Sequence, residues 1–96
     1  RMSPFDKNKH LEVYWSLVTN TFEELDIKPA IDDLLKMLEG KLQIIKKICE
    51  ENNGEVCFEI VSIFERDNLP AIYFEKRFLS IVNYLDAVID IDMYLN

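Results

Sequence analysis

Near the end of this chain two aspartates, Asp90 and Asp92, sit two residues apart among apolar neighbours. They alternate with Ile89, Ile91 and Met93, and alternate positions of a strand project to opposite faces. Period two therefore puts Asp90, Asp92 and Tyr94 on one side. Glu12 and Tyr14 alternate in the same way with Leu11, Val13, Trp15 and Leu17. If the last strand pairs with the first, Glu12 and Tyr14 share that face, and Glu59 of a middle strand joins them.

Carboxylates and tyrosines so placed support several kinds of chemistry. Tyrosine gives contact area at low entropic cost and carboxylates steer a basic surface, so the set Glu12, Tyr14, Glu59, Asp90, Asp92 and Tyr94 is a candidate contact for a basic protein. Asp90, Asp92, Glu12 and Glu59 can also ligate Mg²⁺ or Ca²⁺ through oxygen, although no loop of known ligand spacing accompanies them. Paired carboxylates can move protons, but no cleft, nucleophile or oxyanion donor is legible beside them. An ordinary solvated sheet face has the same composition.

Other reactive residue types are sparse. His10 is the single histidine and has no ligand-spaced partner, so zinc sites and nucleophilic triads lack parts. Two cysteines, Cys49 and Cys57, make no disulfide framework and read as small buried hydrophobes of a reducing, cytoplasmic compartment. Lys41, Lys46 and Lys47 read as a solvated helix stripe. No catalytic, metal or cofactor residue is expected, and the chain reads as a binding protein, not an enzyme.

The elements that must position these residues follow from periodicity. Residues 10–19 alternate as a strand, with Trp15 as a core anchor. Residues 20–26 read as a loop carrying Phe22 and Leu25, with Asp26 as a helix cap ahead of Pro29. Ile27, Ile31, Leu34, Leu35 and Leu38 then recur at helical spacing, Gly40 interrupts, and Leu42, Ile45, Ile48 and Cys49 form a second helix ending at Asn52-Asn53-Gly54. Residues 55–65 are apolar on both faces, as in a strand inside a sheet. Arg66-Asp67-Asn68 signals a turn, and 71–74 reads as a short strand pairing back in a hairpin. A helix over 75–86 has Phe78, Leu79, Ile81, Val82 and Leu85 inward, and 88–95 is the last strand. The order β-α(α)-β-β-α-β predicts an α+β, ferredoxin-like two-layer sandwich, with helices on one face of a four-stranded, mainly antiparallel sheet whose first and last strands are neighbours.

Ninety-six residues make one domain. Residues 1–9 read as a disordered or vector-derived leader, with Arg1 a cloning remnant before a Met2 start or an internal residue of a longer chain; 10–96 is a single α+β domain. The net charge is −7, and residues 49–96 carry all of it, with 10 acidic and 3 basic groups. Nucleic-acid binding is not expected, since phosphate contact needs a basic patch. Nor is a membrane partner: no run approaches the roughly 18 apolar residues of a span, and 1–10 has no apolar signal region.

The ending Leu85-Asp86-Ala87-Val88-Ile89-Asp90-Ile91-Asp92-Met93-Tyr94 resembles the closing signature of a bacterial family, domain of unknown function 4279. Trp15-Ser16-Leu17 is similar to that family's tryptophan strand, 31–38 to its two-leucine helix, and Leu69-Pro70-Ala71-Ile72 to the strand before its last helix. The resemblance covers about 11–95. It implies a bacterial accessory protein without an established activity, sometimes encoded among toxin–immunity or defence genes, so an immunity or inhibitor role is the expectation. The family usually has a strand, a helix and a loop ahead of the tryptophan strand, and here ten residues precede it. A short member or a fragment is therefore expected, with a sheet edge or face left for a partner chain. A homo-oligomeric scaffold is the alternative, and a carboxylate metal-binding domain a further one.

Overall fold

The computed structural model describes residues 11–20, 27–67, 69 and 71–95. Its elements run β1 (Leu11–Asn20), α1 (Lys28–Leu38), α2 (Leu42–Glu51), β2 (Gly54–Phe64), α3 (Lys76–Leu85) and β3 (Val88–Leu95). The three strands form one sheet in the order β1-β2-β3, and both pairings are parallel. Parallel neighbours need a long crossover, and here α1 with α2 supplies the first and α3 the second.

α1 forms where the apolar stripe demands it. Ile31, Leu34, Leu35 and Leu38 are buried, Pro29 occupies the first turn where its missing N–H is harmless, and Gly40 at φ +76° turns the chain into α2. α2 ends at Asn52 and Asn53, the latter left-handed at φ 50°. α3 ends at Asp86, also left-handed, with its backbone N–H turned back to Val82 and Asn83 carbonyls.

One core joins the layers. Ile31, Leu34, Leu35 and Leu38 of α1, Cys49 of α2, and Phe78 and Leu85 of α3 cluster with Val56, Phe58 and Ile60 of β2. The β2 contributors are alternate residues, so they share one face, and all three helices lie against that face. Trp15 extends the core onto β1 by stacking on Phe58, with centroids 5.6 Å apart, and Phe78 meets Phe58 edge-on at 5.4 Å.

This arrangement corrects the expected sandwich. The chain remains α+β, but among the described residues the sheet has three parallel strands in place of four mainly antiparallel ones. The expected strand at 71–74 is not a sheet strand: Ala71 makes an isolated bridge and its carbonyl accepts from the Ile27 N–H at 3.2 Å, while 72–75 lack regular structure. Ile72 and Phe74 pack on the core as an extended lead into α3. Without a hairpin there, β2 returns through α3, and β3 must run parallel to it. β1 and β3 are consequently not neighbours; β2 lies between them, as its apolar residues on both faces require. Expectations that fall on 1–10, on the loop at 21–26 including Asp26, and on Asn68 and Pro70 lie outside the described residues.

Candidate functional site

Register partners in a parallel pair point to the same side of the sheet. The face opposite the helices is therefore built from Glu12, Tyr14, Ser16 and Val18 of β1, Glu55, Cys57, Glu59, Val61 and Ile63 of β2, and Val88, Asp90, Asp92 and Tyr94 of β3. Period two thus sorted the six expected residues correctly by side. It did not place them together. Glu12 lies beside Glu55 at the start of the strands, roughly 13 Å along the strand from the Glu59 rung at about 3.3 Å per residue. Tyr14 lies beside Cys57, and Tyr94 beside Ile63 near the far end.

The centre of the face is tighter. Ser16, Glu59 and Asp90 form one rung, and Asp92 sits one rung further, beside Val61. One carboxylate oxygen from each of Glu59, Asp90 and Asp92 lies within 4.8 Å of the others, and all three residues are half-buried. The Ser16 hydroxyl donates to Glu59 Oε1 at 3.0 Å. Two like charges about 4 Å apart repel by about 1 kcal/mol in bulk water and about 4 kcal/mol near a protein surface, so ionised carboxylates at this spacing attract a cation. It is also the set able to hold a divalent ion through oxygen, with Glu12 too far along β1 to join it.

Ser16 and Glu55 belong to this face and were not in the expected set. The period-two count that selects Glu59 also selects Glu55, and the one that selects Tyr14 also selects Ser16. Cys57 lies on the same face and is fully buried, Cys49 is buried on the helix side, and neither is in a disulfide.

Two hollows lined by described residues lie elsewhere. One of about 310 Å³ is lined by Lys46, Cys49, Glu50, Asn53, Gly54, Leu85 and Asp86, at the turns entering β2 and β3. Lys46 is more than the solvated stripe residue expected: its Nζ donates to the Tyr84 carbonyl at 2.7 Å and sits 4.8 Å over the Tyr84 ring. The other, about 100 Å³, lies where α1 and α3 begin and includes Lys28, Asp32, Glu75 and Arg77. Hydrogen bonds from the Lys28 ammonium, at 2.9 Å to Asp32 and 3.2 Å to Glu75, raise its pKa to about 12.

A family model described as domain of unknown function (DUF4279) matches residues 1–96, the whole chain. The chain belongs to that family. This DUF4279 domain is also 30% identical over 84 residues to a tRNA(Ile)-lysidine synthase of Histophilus somni (strain 129Pt), a match taking in 83% of the chain and 18% of the synthase. The domain thus spans under a fifth of the length of that relative. No solved structure matches it. Among the described residues no helix is long and apolar enough to cross a membrane.

Proposed function

We propose that this DUF4279 domain is a non-catalytic binding module whose sheet face opposite the described helices docks a basic protein, in the manner of an immunity or inhibitor protein. The observation that carries the reading is the carboxylate trio of Glu59, Asp90 and Asp92 gathered within 4.8 Å on a face no described helix covers. A binding role accords with its position. Active sites favour concave pockets, and neither hollow described above is lined by any of the three. Acidic groups with nearby tyrosines suit fast, charge-steered association.

The segment likeness to tRNA(Ile)-lysidine synthase does not carry that protein's activity across, because it involves 18% of the synthase. A net charge of −7 also opposes contact with an RNA backbone.

The test is capture from extract of a bacterium that encodes the domain, using wild type and the double variant Asp90→Lys, Asp92→Lys. Wild type is expected to retain a basic protein, to release it as salt rises, and to lose it in the double variant. The circular dichroism spectrum of the variant should keep the shape of wild type, showing the same fold. Equal capture by the variant, or retention of nothing basic, overturns the reading. A mass that grows past two chains with concentration in light scattering supports the homo-oligomeric scaffold instead.

A further inference from the structure

We infer that α2 is a self-association surface, on which a second copy of this chain lays its own α2 antiparallel about a two-fold axis at position 46. The surface is separate from the acidic sheet face and uses none of its residues.

Lys41, Ile44, Ile48 and Glu51 recur at intervals of three, four and three. At 3.6 residues per turn this spacing makes one stripe along the helix. Ile44 and Ile48 are 60% and 44% exposed, and Lys41 and Glu51 are exposed as well. The stripe lies about a third of a turn from the side of Leu42, Ile45 and Cys49, which packs on the core. It lies about half a turn from Lys46, whose ammonium donates to the Tyr84 carbonyl of α3. It is therefore the flank of α2 turned away from α3.

Two features of the stripe select a second copy as its occupant. The first is symmetry. Its order is basic, apolar, apolar, acidic, and its midpoint is position 46. Reversing one copy against the other sets Ile44 on Ile48 of the second copy and Lys41 opposite Glu51 of the second copy. A two-fold axis makes each pairing twice. The second feature is the helix dipole, which favours acids at a helix N-terminus and bases at its C-terminus. α2 has the reverse. Lys41 is its N-cap and makes no side-chain capping bond, no acid lies in the first turn, no base lies in the last, and Glu50 and Glu51 close the helix. Its Lys46–Glu50 and Lys47–Glu51 pairs also run in the less favourable order, lysine first. An antiparallel copy brings Glu51 to the positive end and Lys41 to the negative end, so each end gains the charge it lacks. The stripe is also neutral, one base and one acid, on a chain of net charge −7, so two copies meet there without opposing like charges. A helix of 10 residues is about 15 Å long. That is less than a stable interface covers, so the pairing is weak and belongs to high concentration.

Sedimentation equilibrium of the full chain from about 10 μM to about 1 mM tests the pairing. The mass is expected to approach that of two chains and to stop there, because a two-fold contact closes on itself. Lys41→Glu sets acid against acid at both ends, and Glu51→Lys sets base against base. Each is expected to weaken the dimer about tenfold. Lys41→Glu combined with Glu51→Lys restores opposite charges, keeps the net charge of wild type, and is expected to return to within about threefold of it. Ile44→Ser is expected to remove the dimer. These positions are exposed, so every variant should keep the circular dichroism spectrum of wild type. A mass of one chain throughout the range overturns the inference, and so does a mass that keeps growing past two. A dimer that survives Ile44→Ser, or one that the combined variant leaves as weak as the single variants do, puts the contact elsewhere and overturns it as well.

Discussion

Phe58 shows how one side chain can join three elements. It sits on β2 with no exposure, stacks with Trp15 of β1, and receives the Phe78 ring of α3 edge-on. Phe74 continues the row, 5.5 Å from Phe78. Truncating Phe58 to alanine removes its ring from the Trp15 and Phe78 contacts and leaves a cavity between layers, a change that costs about 3–5 kcal/mol in comparable cores. Domains have only about 5–15 kcal/mol in total, so Phe58→Ala is expected to lose most of its stability. Phe58→Leu, which keeps much of the volume, should lose far less. Urea unfolding checks both; an alanine variant within about 1 kcal/mol of wild type would mean the ring is not the junction of the layers. Lys28 is the opposite kind of residue. Its pKa is raised to about 12 by hydrogen bonds to Asp32 and Glu75, but it is exposed, and solvent leaves such pairs little influence on stability.

At the scale of elements, the two glycines serve different ends. Gly40 turns α1 into α2 at φ +76°, and a Cβ there would meet nothing within 4 Å. Its constraint is conformational only. Gly54 begins β2 directly under α2, and a Cβ there would lie 3.0 Å from Cys49 Cα and 3.3 Å from its Cβ and Sγ. That constraint is steric, and relieving it requires helix and strand to part. Asparagine tolerates the left-handed region better than alanine does, so Gly40→Asn is expected to melt above Gly40→Ala. At position 54 the larger side chain should do more harm, so Gly54→Asn melts below Gly54→Ala. Calorimetry of the four variants reads the two orders, and the same order at both sites would contradict this division. The elements themselves were legible because period is a local property: β3 matches its expected span, and the buried stripe of α1 is the one the spacing picks out. Ile48 and Leu79 share the helical spacing yet are exposed, since a stripe does not reveal how far the sheet beneath it extends. Topology was not legible. Ile72 and Phe74 alternate as in a strand, but the pattern reports only that one side is apolar, not that the backbone bonds to a neighbour. That one misreading turned a parallel crossover into a hairpin. It also hid the central place of Glu59, which became evident only when β2 was found between Asp90 and Ser16.

Over the whole molecule, charge and fold oppose each other. The net charge of −7 resides in residues 49–96, and folding brings Glu59, Asp90 and Asp92 of that half within 4.8 Å. In the unfolded chain Glu59 is separated from the two aspartates by a long flexible segment, so the repulsion acts mainly on the native state. Salt should therefore stabilise this domain. The screening length falls from about 30 Å at 0.01 M to about 3 Å at 1 M, below the spacing of the trio only at the upper end. The melting temperature is expected to rise across that range, and to rise less in an Asp90→Asn, Asp92→Asn variant. The difference between the two slopes isolates the cluster from general salt effects on hydrophobic burial. Identical slopes would show that the trio is already neutralised in the native state and exerts no net repulsion. Magnesium or calcium at matched ionic strength separates screening from occupancy: pure screening tracks ionic strength alone, whereas a bound ion adds a shift that grows with the logarithm of its concentration above its dissociation constant. The docking face proposed here requires the first behaviour, because a resident divalent ion would neutralise the charge that is to attract the partner.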